Sequence, residues 1–334
     1  MLPWLLLLHA ATAFAPVDLG HASGDATATR PLTVSVAGPI TSAEYLPIRV
    51  AKAAGYFADE RVTVSIRDTR SPADAAQDLG TGTVSLAATS LDAAIRMGAT
   101  AGKPPLLVIG LTAAPPVALL VPTSMKAAVR GPADLAGRQV GIPAPGSPEH
   151  AVLLSLLRAA DVPVARLRIE SYGDQGLAAA IARGSVAAGV LGEPWTTRLV
   201  ESGSAVAIVD LAKPGAAEKW LGGPTVHAAV FAPAAAAGAP ELGPFVRAVT
   251  RALAHLETAS AADVARGLPL AVVGPPGDLP LRLQALQALY LRDGRVDPAR
   301  MANSLARLRE RWPVPVKVEL PRRPGHLLWR GDRE

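Results

Sequence analysis

The chain is 334 residues long and half of them are hydrophobic, enough for two α/β domains of ordinary size and too apolar for a largely disordered protein. It has no cysteine, which excludes thiolate nucleophiles, cysteine-ligated zinc, disulfides and a lipid anchor carried on cysteine. The formal charge of +5 is modest, and the basic excess between Arg300 and Arg323 has few aromatics among it, so it reads as a solvated helix face and tail, not a nucleic-acid surface. At the start, Leu2-Pro3-Trp4-Leu5-Leu6-Leu7-Leu8 followed by Ala10-Ala11-Thr12-Ala13 matches the apolar core and cleavage zone of a secretory signal, although no Lys or Arg precedes the run. The run falls short of the ~20 apolar residues of a membrane span. Residues 1–28 are therefore expected to be a signal peptide and flexible leader.

From Leu32 onward, short β-branched runs alternate with helical patterns, the grammar of βαβ units. Expected strands are Leu32–Ala37, Val62–Ile66, Val84–Ala88 and Leu106–Gly110, with helices at Tyr45–Ala54 and Ala73–Leu79. Gly55 and Gly80 stand where a helix end favours positive φ. After Pro115-Pro116 the grammar restarts, with strands at Val117–Val121, Val140–Ile142, Leu167–Glu170, Ala188–Leu191 and Val206–Asp210. Helices are expected at His150–Ala160, Leu177–Ala182 and Trp195–Val200. Pro214-Gly215 then leads to a strand at Val226–Phe231, and helices follow at Pro240–Glu257, Leu279–Leu291 and Pro298–Arg311. Segments 75–87 and 178–190 are counterparts: an Ala-rich helix, a glycine turn, and a strand ending in a polar cluster. Two similar α/β lobes facing each other would form a cleft. The expected division is lobe I from 30–114 plus 213–312, lobe II from 115–212, and a C-terminal tail from 313–334.

Three stretches in order resemble one family. Leu46-Pro47-Ile48-Arg49-Val50-Ala51-Lys52-Ala53-Ala54-Gly55-Tyr56-Phe57 before Val62-Thr63-Val64 is similar to a first helix running through a Gly-aromatic-Phe end into the second strand. Pro132-Ala133-Asp134-Leu135-Ala136-Gly137-Arg138-Gln139-Val140-Gly141-Ile142-Pro143 with Gly146-Ser147 resembles the opening of the second lobe, and Gly184 through Glu193-Pro194-Trp195 resembles a third signature. Together they resemble the periplasmic solute-binding proteins of ABC transporters of the nitrate/sulfonate/taurine type, which include binders of thiamine pyrimidine precursors. Arg61 stands where the family has glycine, and Ser85 and Ala187 where it has aspartate. The resemblance implies a type II periplasmic-binding-protein fold: two lobes, each a mostly parallel sheet flanked by helices, with a hinge between them. It also implies a monomer at the periplasmic or extracellular face, exported by a cleavable signal, whose partners are a small-molecule solute, a permease and its ATPase, with no nucleic acid.

Ligands of open α/β sheets sit beyond the carboxyl ends of the strands, where helix N-termini offer unpaired N–H groups. Thr41, Ser42 and Tyr45 follow the first strand, Arg70 and Ser71 the second, and Thr89 and Ser90 the third. Ser147, Glu193 and Trp195 are the counterparts in the second lobe. Each serine or threonine is also a natural helix cap. Arg70 suits an anionic head group and Glu193 an amine or ring nitrogen; the expected solute is a small organic anion, sulfonate-, nitrate- or taurine-like, held in the cleft by backbone N–H groups and hydroxyls as the hinge closes, with a nitrogen heterocycle such as a thiamine pyrimidine precursor as the alternative. No catalytic residue, metal site or cofactor is expected. Gly98-Ala99-Thr100-Ala101-Gly102-Lys103-Pro104 is one residue short of a phosphate-binding loop, Gly80-Thr81-Gly82 precedes a strand instead of following one, and the six histidines are scattered. An enzyme or a sensor on the same scaffold is the remaining alternative.

Overall fold

The computed structural model describes residues 31–311 and 324–331; the expected signal peptide and most of the C-terminal tail lie outside the described residues. The first sheet holds β1 (Leu32–Val36), β2 (Val64–Asp68), β3 (Leu86–Ser90) and β4 (Leu106–Thr112). The second holds β5 (Val117–Pro122), β6 (Gln139–Ile142), β7 (Arg168–Ser171), β8 (Ala188–Gly192) and β9 (Ala205–Asp210). The last strand, β10 (Ala228–Ala232), returns to the first sheet, giving the orders β2-β1-β3-β10-β4 and β7-β6-β8-β5-β9.

The two orders are the same pattern, and each has one reversed strand: β10 runs antiparallel to β3 and β4, and β5 antiparallel to β8 and β9. Each reversed strand follows directly on a crossover, β5 after the short link 113–116 and β10 after the longer link 211–227. Two βαβ units, each repeated in the other half, thus build two lobes, and each lobe is a mixed rather than wholly parallel sheet.

The helices are α1 (Leu46–Ala53), α2 (Tyr56–Asp59), α3 (Pro72–Gly80), α4 (Leu91–Thr100), α5 (Pro148–Ala159), α6 (Gly173–Ala182), α7 (Trp195–Glu201) and α8 (Ala216–Leu221). They continue with α9 (Leu242–Thr258), α10 (Ala261–Arg266), α11 (Leu270–Val273), α12 (Asp278–Gln287) and α13 (Pro298–Arg311). None of the described helices is long and apolar enough to cross a membrane.

The expected elements are present, with shifts that have local causes. The ladder of β2 with β1 starts at Val64 opposite Leu32, because the N–H of Val62 is taken by the Phe57 carbonyl in the preceding turn. As an edge strand with Ser65, Arg67 and Asp68 exposed, β2 then extends through polar residues. Helix α12 ends before Tyr290, which bridges to Thr112, while the Leu291 N–H goes to the Leu111 carbonyl.

Helix α4 has no counterpart among the sequence expectations. Its buried Leu91, Ala94, Ile95 and Gly98 form a helical stripe, and a Cβ on Gly98 would lie 2.5 Å from Pro105 Cδ. The glycine that opens the incomplete phosphate-loop pattern thus serves as a packing contact. At the helix ends, Gly55 takes the expected positive φ (+75°), but Gly80 does not. The left-handed residue after α3 is Gly82 (φ +74°), and Gly184 (φ +69°) is its counterpart after α6.

Helix α9 covers the first sheet through α1 and α2, where Phe57 and Phe245 stack with ring centres 5.3 Å apart. Helix α13 buries Met301, Leu305 and Leu308 against Leu107 and Phe231. Past the undescribed segment, Leu327 is buried and the Trp329 N–H bonds to the Leu107 carbonyl.

Candidate functional site

The strand ends that face ligand in such sheets are Val36, Asp68 and Ser90 in the first lobe and Ile142, Ser171 and Gly192 in the second. After Val36 the chain turns at Gly38, whose φ of +99° suits glycine and where a Cβ would lie 3.2 Å from Ser42 Cβ. The segment 41–45 is fastened from the C-terminal third of the chain. The Arg282 guanidinium donates to the Thr41 carbonyl, and Tyr290 Oη donates to the Ala43 carbonyl at 2.8 Å. Thr41 and Ser42 are half-buried, and the Ser42 side chain makes no capping bond.

Tyr45 is 2% exposed, and its hydroxyl is buried with no hydrogen-bond partner. Burial, and then the neighbouring Glu44 carboxylate, push its phenol well above the usual range. On the other side of this turn Glu44 Oε1 lies 2.9 Å from His227 Nε2, which sits on the crossover just before β10.

Beyond β2, Arg70 is exposed and Ser71 caps α3, its Oγ accepting the Asp74 N–H at 3.2 Å. Beyond β3, Thr89 is fully buried and donates to the Pro72 carbonyl at 2.7 Å, tying β3 to the start of α3. Ser90 caps α4 by accepting the Ala93 N–H at 3.2 Å.

In the second lobe Ser147 caps α5, accepting the His150 N–H at 3.2 Å, while His150 Nδ1 accepts the Gly146 N–H at 3.0 Å. That bond places the proton of the neutral imidazole on Nε2, and burial lowers the pKa of His150. Its Nδ1 is therefore engaged with backbone and is not positioned as a base for Ser147.

The Glu149 carboxyl is pushed up by burial, partly offset by its own N–H and the Ser147 hydroxyl, with the Glu44 and Asp174 carboxylates adding to the rise. Glu44 belongs to the first lobe and Glu149 to the second, so the two lobes bring these carboxylates within electrostatic reach. Asp174, in the first turn of α6, is likewise pushed up by burial.

After β8, Glu193 accepts the Thr197 N–H at 3.1 Å and the Thr197 hydroxyl at 2.9 Å, so both carboxylate oxygens hold the start of α7. Burial nevertheless raises its pKa. Trp195 is half-buried beneath Arg198, whose guanidinium carbon is 5.5 Å from the ring centre. Arg198 also donates to Asp278 at the start of α12.

The structure thus gathers Thr41, Ser42 and Tyr45 on one turn, links Thr89 to the helix that Ser71 caps, and sets Ser147, Glu193 and Trp195 at the corresponding ends of the second sheet. The sequence marks His227 only as one of the scattered histidines and does not single out Asp174, Arg198, Asp278 or Arg282. For His227, Arg198, Asp278 and Arg282 the role comes from distant partners that no local spacing signals, and for Asp174 from burial against the rest of the fold. Among the described residues no three acidic or histidine side chains group as metal ligands. A cavity of about 650 Å³ lies away from the strand ends, between the second half of α5, α8 and Arg307.

The family model described as NMT1/THI5 like matches residues 42–255, well over half of the chain. The chain belongs to this family. The matched span of the NMT1/THI5-like protein begins in the 41–45 turn and contains all three stretches on which the sequence resemblance rests. No curated protein matches its sequence.

Among solved structures, a protein from Bordetella bronchiseptica RB50 is similar at 24% identity, covering 89% of this chain and 94% of that one, with a TM-score of 0.70. The alkanesulfonate-binding protein SsuA from Xanthomonas axonopodis pv. citri bound to MOPS is similar at 22% identity, with coverage of 73% and 81% and a TM-score of 0.53. The periplasmic nitrate-binding protein NrtA from Synechocystis PCC 6803 is similar at 13% identity, with coverage of 77% and 69% and a TM-score of 0.54. These likenesses show that the NMT1/THI5-like chain has the two-lobed fold of periplasmic binding proteins.

Proposed function

We propose that this protein is the solute-binding component of an ABC-type importer and takes up a small molecule between its lobes by closing about the crossovers 113–116 and 211–227. The observation that carries the reading is the repeated sheet order, which sets the capped starts of α3, α4 and α5 and the 41–45 turn at the strand ends of two lobes. Membership of the NMT1/THI5-like family and the fold shared with SsuA and NrtA support it. On this reading the chain is exported, catalyses no reaction and works with a permease and its ATPase.

The charges near the strand ends favour a nitrogen-bearing solute with N–H donors over an anion. Glu149 is a partly buried carboxyl with no cation paired to it among the described residues, and a donor group on the solute would relieve its desolvation; Glu193, whose oxygens already accept from Thr197, is partly buried as well and keeps acceptor capacity for a second donor. Of the nearby cations, Arg198 and Arg282 are already engaged. Arg70 is the exposed cation that supports the second reading, an anion held by hydroxyls and helix N-termini.

The test is a thermal-unfolding screen against pyrimidines, polyamines, sulfonates, nitrate and bicarbonate at millimolar concentration. A micromolar binder stabilises by about 4 kcal/mol at that concentration. At roughly 2–4 °C per kcal/mol for mid-size domains, the midpoint rises by up to about 16 °C, and by less in a longer chain. Loss of the shift in Glu149→Gln or Glu193→Gln supports the nitrogenous solute, and loss in Arg70→Ala alone supports the anion. No shift with any class would sink the solute-binding reading.

A further inference from the structure

We infer that Arg198 and Asp278 form a charge latch across the cleft mouth, which draws the lobes together before any solute enters. Helix α7, which carries Arg198, packs on β8, β9 and β5 of the second sheet. Helix α12, which begins with Asp278, packs on α9 and on the turn 43–45 of the first lobe. The ion pair between them therefore joins the lobes through side chains, apart from the two chain crossovers.

Its two ends differ in freedom. Asp278 is 10% exposed and fixed at a helix start, whereas the Arg198 side chain is 46% exposed and lies over Trp195. Separating the lobes breaks the pair and returns both charges to water, so the attraction between them favours the closed form alone. The latch also connects to the 41–45 turn. Arg282, one helical turn beyond Asp278, donates to the Asp278 carbonyl and to the Thr41 and Val273 carbonyls. Closing charge and the 41–45 turn thus share one rigid support. The solute then meets a partly closed protein, and its apparent affinity depends on how often the latch is made.

That dependence on affinity rests on the proposed solute-binding function; the latch itself is tested without solute. Because the chain has no cysteine, Lys52→Cys in the first lobe and Lys126→Cys in the second, both at exposed sites, take spin labels cleanly in the full-length protein. Arg198→Gln and Asp278→Asn are each expected to lengthen or broaden the interlobe distance distribution, the double variant no more than either alone, and Arg198→Lys to keep the wild-type distribution. At 1 M salt, where the screening length is about 3 Å, the wild type moves toward the variants. Arg198 is exposed, so Arg198→Gln keeps its fold, and near-ultraviolet circular dichroism verifies the same for Asp278→Asn.

Unchanged distances in Arg198→Gln, or single effects that simply add in the double variant, overturn the latch. Should a solute be found by the thermal screen, its affinity weakens about two- to five-fold in Arg198→Gln. Distances that shift while no solute binds leave the latch standing and refute the function instead.

Discussion

Helix α6 lies against the second sheet so closely that two paired strand positions have to be glycine. Gly141 on β6 pairs with Gly189 on β8, and both face Leu177, which is fully buried. A Cβ on Gly141 would stand 2.2 Å from Leu177 Cδ1, so that methyl must retreat by about 1.3 Å to reach the roughly 3.5 Å of ordinary carbon contact. The Tyr172 ring, 3.3 Å from the same point, closes one way out, and Leu177 also packs against Gly189.

Overpacking of this kind costs about 1–3 kcal/mol. Gly141→Ala recovers roughly 0.4–1 kcal/mol through the stiffer unfolded chain, leaving a net loss of about 1–2 kcal/mol. In a thermal melt that is a fall of up to about 8 °C. Leu177→Ala alone opens a cavity and costs about 2–5 kcal/mol. In the double variant the new methyl enters that cavity, so the combined loss falls short of the sum by at least about 1 kcal/mol. Urea unfolding of the four proteins measures the cycle. Additivity within about 0.5 kcal/mol would refute the claim that the helix approach is set by these glycines.

Glu149→Gln is expected to raise the melting midpoint at neutral pH. The folded-state value of Glu149 lies above its unfolded value, so the folded chain binds the extra proton and loses stability as pH climbs through that interval. The advantage of the glutamine should shrink as pH falls toward the ordinary glutamate value of ~4.3, and an advantage independent of pH would contradict the assignment. Arg282→Met removes a buried guanidinium whose donors hold Thr41, Val273 and Asp278. It should lower stability by about 3–5 kcal/mol in urea titrations, and a loss under 1 kcal/mol would mean the 41–45 turn is held by other contacts.

Much of the architecture was legible because the core of an α/β lobe is written in short apolar runs with period-2 or period-3.6 spacing. The runs at 106–110, 117–121 and 188–191 are buried on both faces, so apolarity alone marks them. The internal counterparts at 75–87 and 178–190 were visible for the same reason, since α3–β3 and α6–β8 occupy equivalent places in the two sheets. Helix α4 was not legible because its stripe is made of alanine and glycine as much as leucine and isoleucine.

Local chemistry determined which residues stand at strand ends and cap the helices that follow: Ser71, Ser90 and Ser147 do so through N–H groups three residues on, a spacing the sequence contains. What only the tertiary structure decided are the long-range pairs. Glu44 meets His227 from 183 positions away, Arg198 meets Asp278 across 80, and Arg282 reaches Thr41 across 241. The first and third pairs depend on the chain returning through β10 to the first sheet, and the Arg198–Asp278 pair on how the two sheets are set against each other; both follow from chain crossovers that the spacing of apolar residues does not encode.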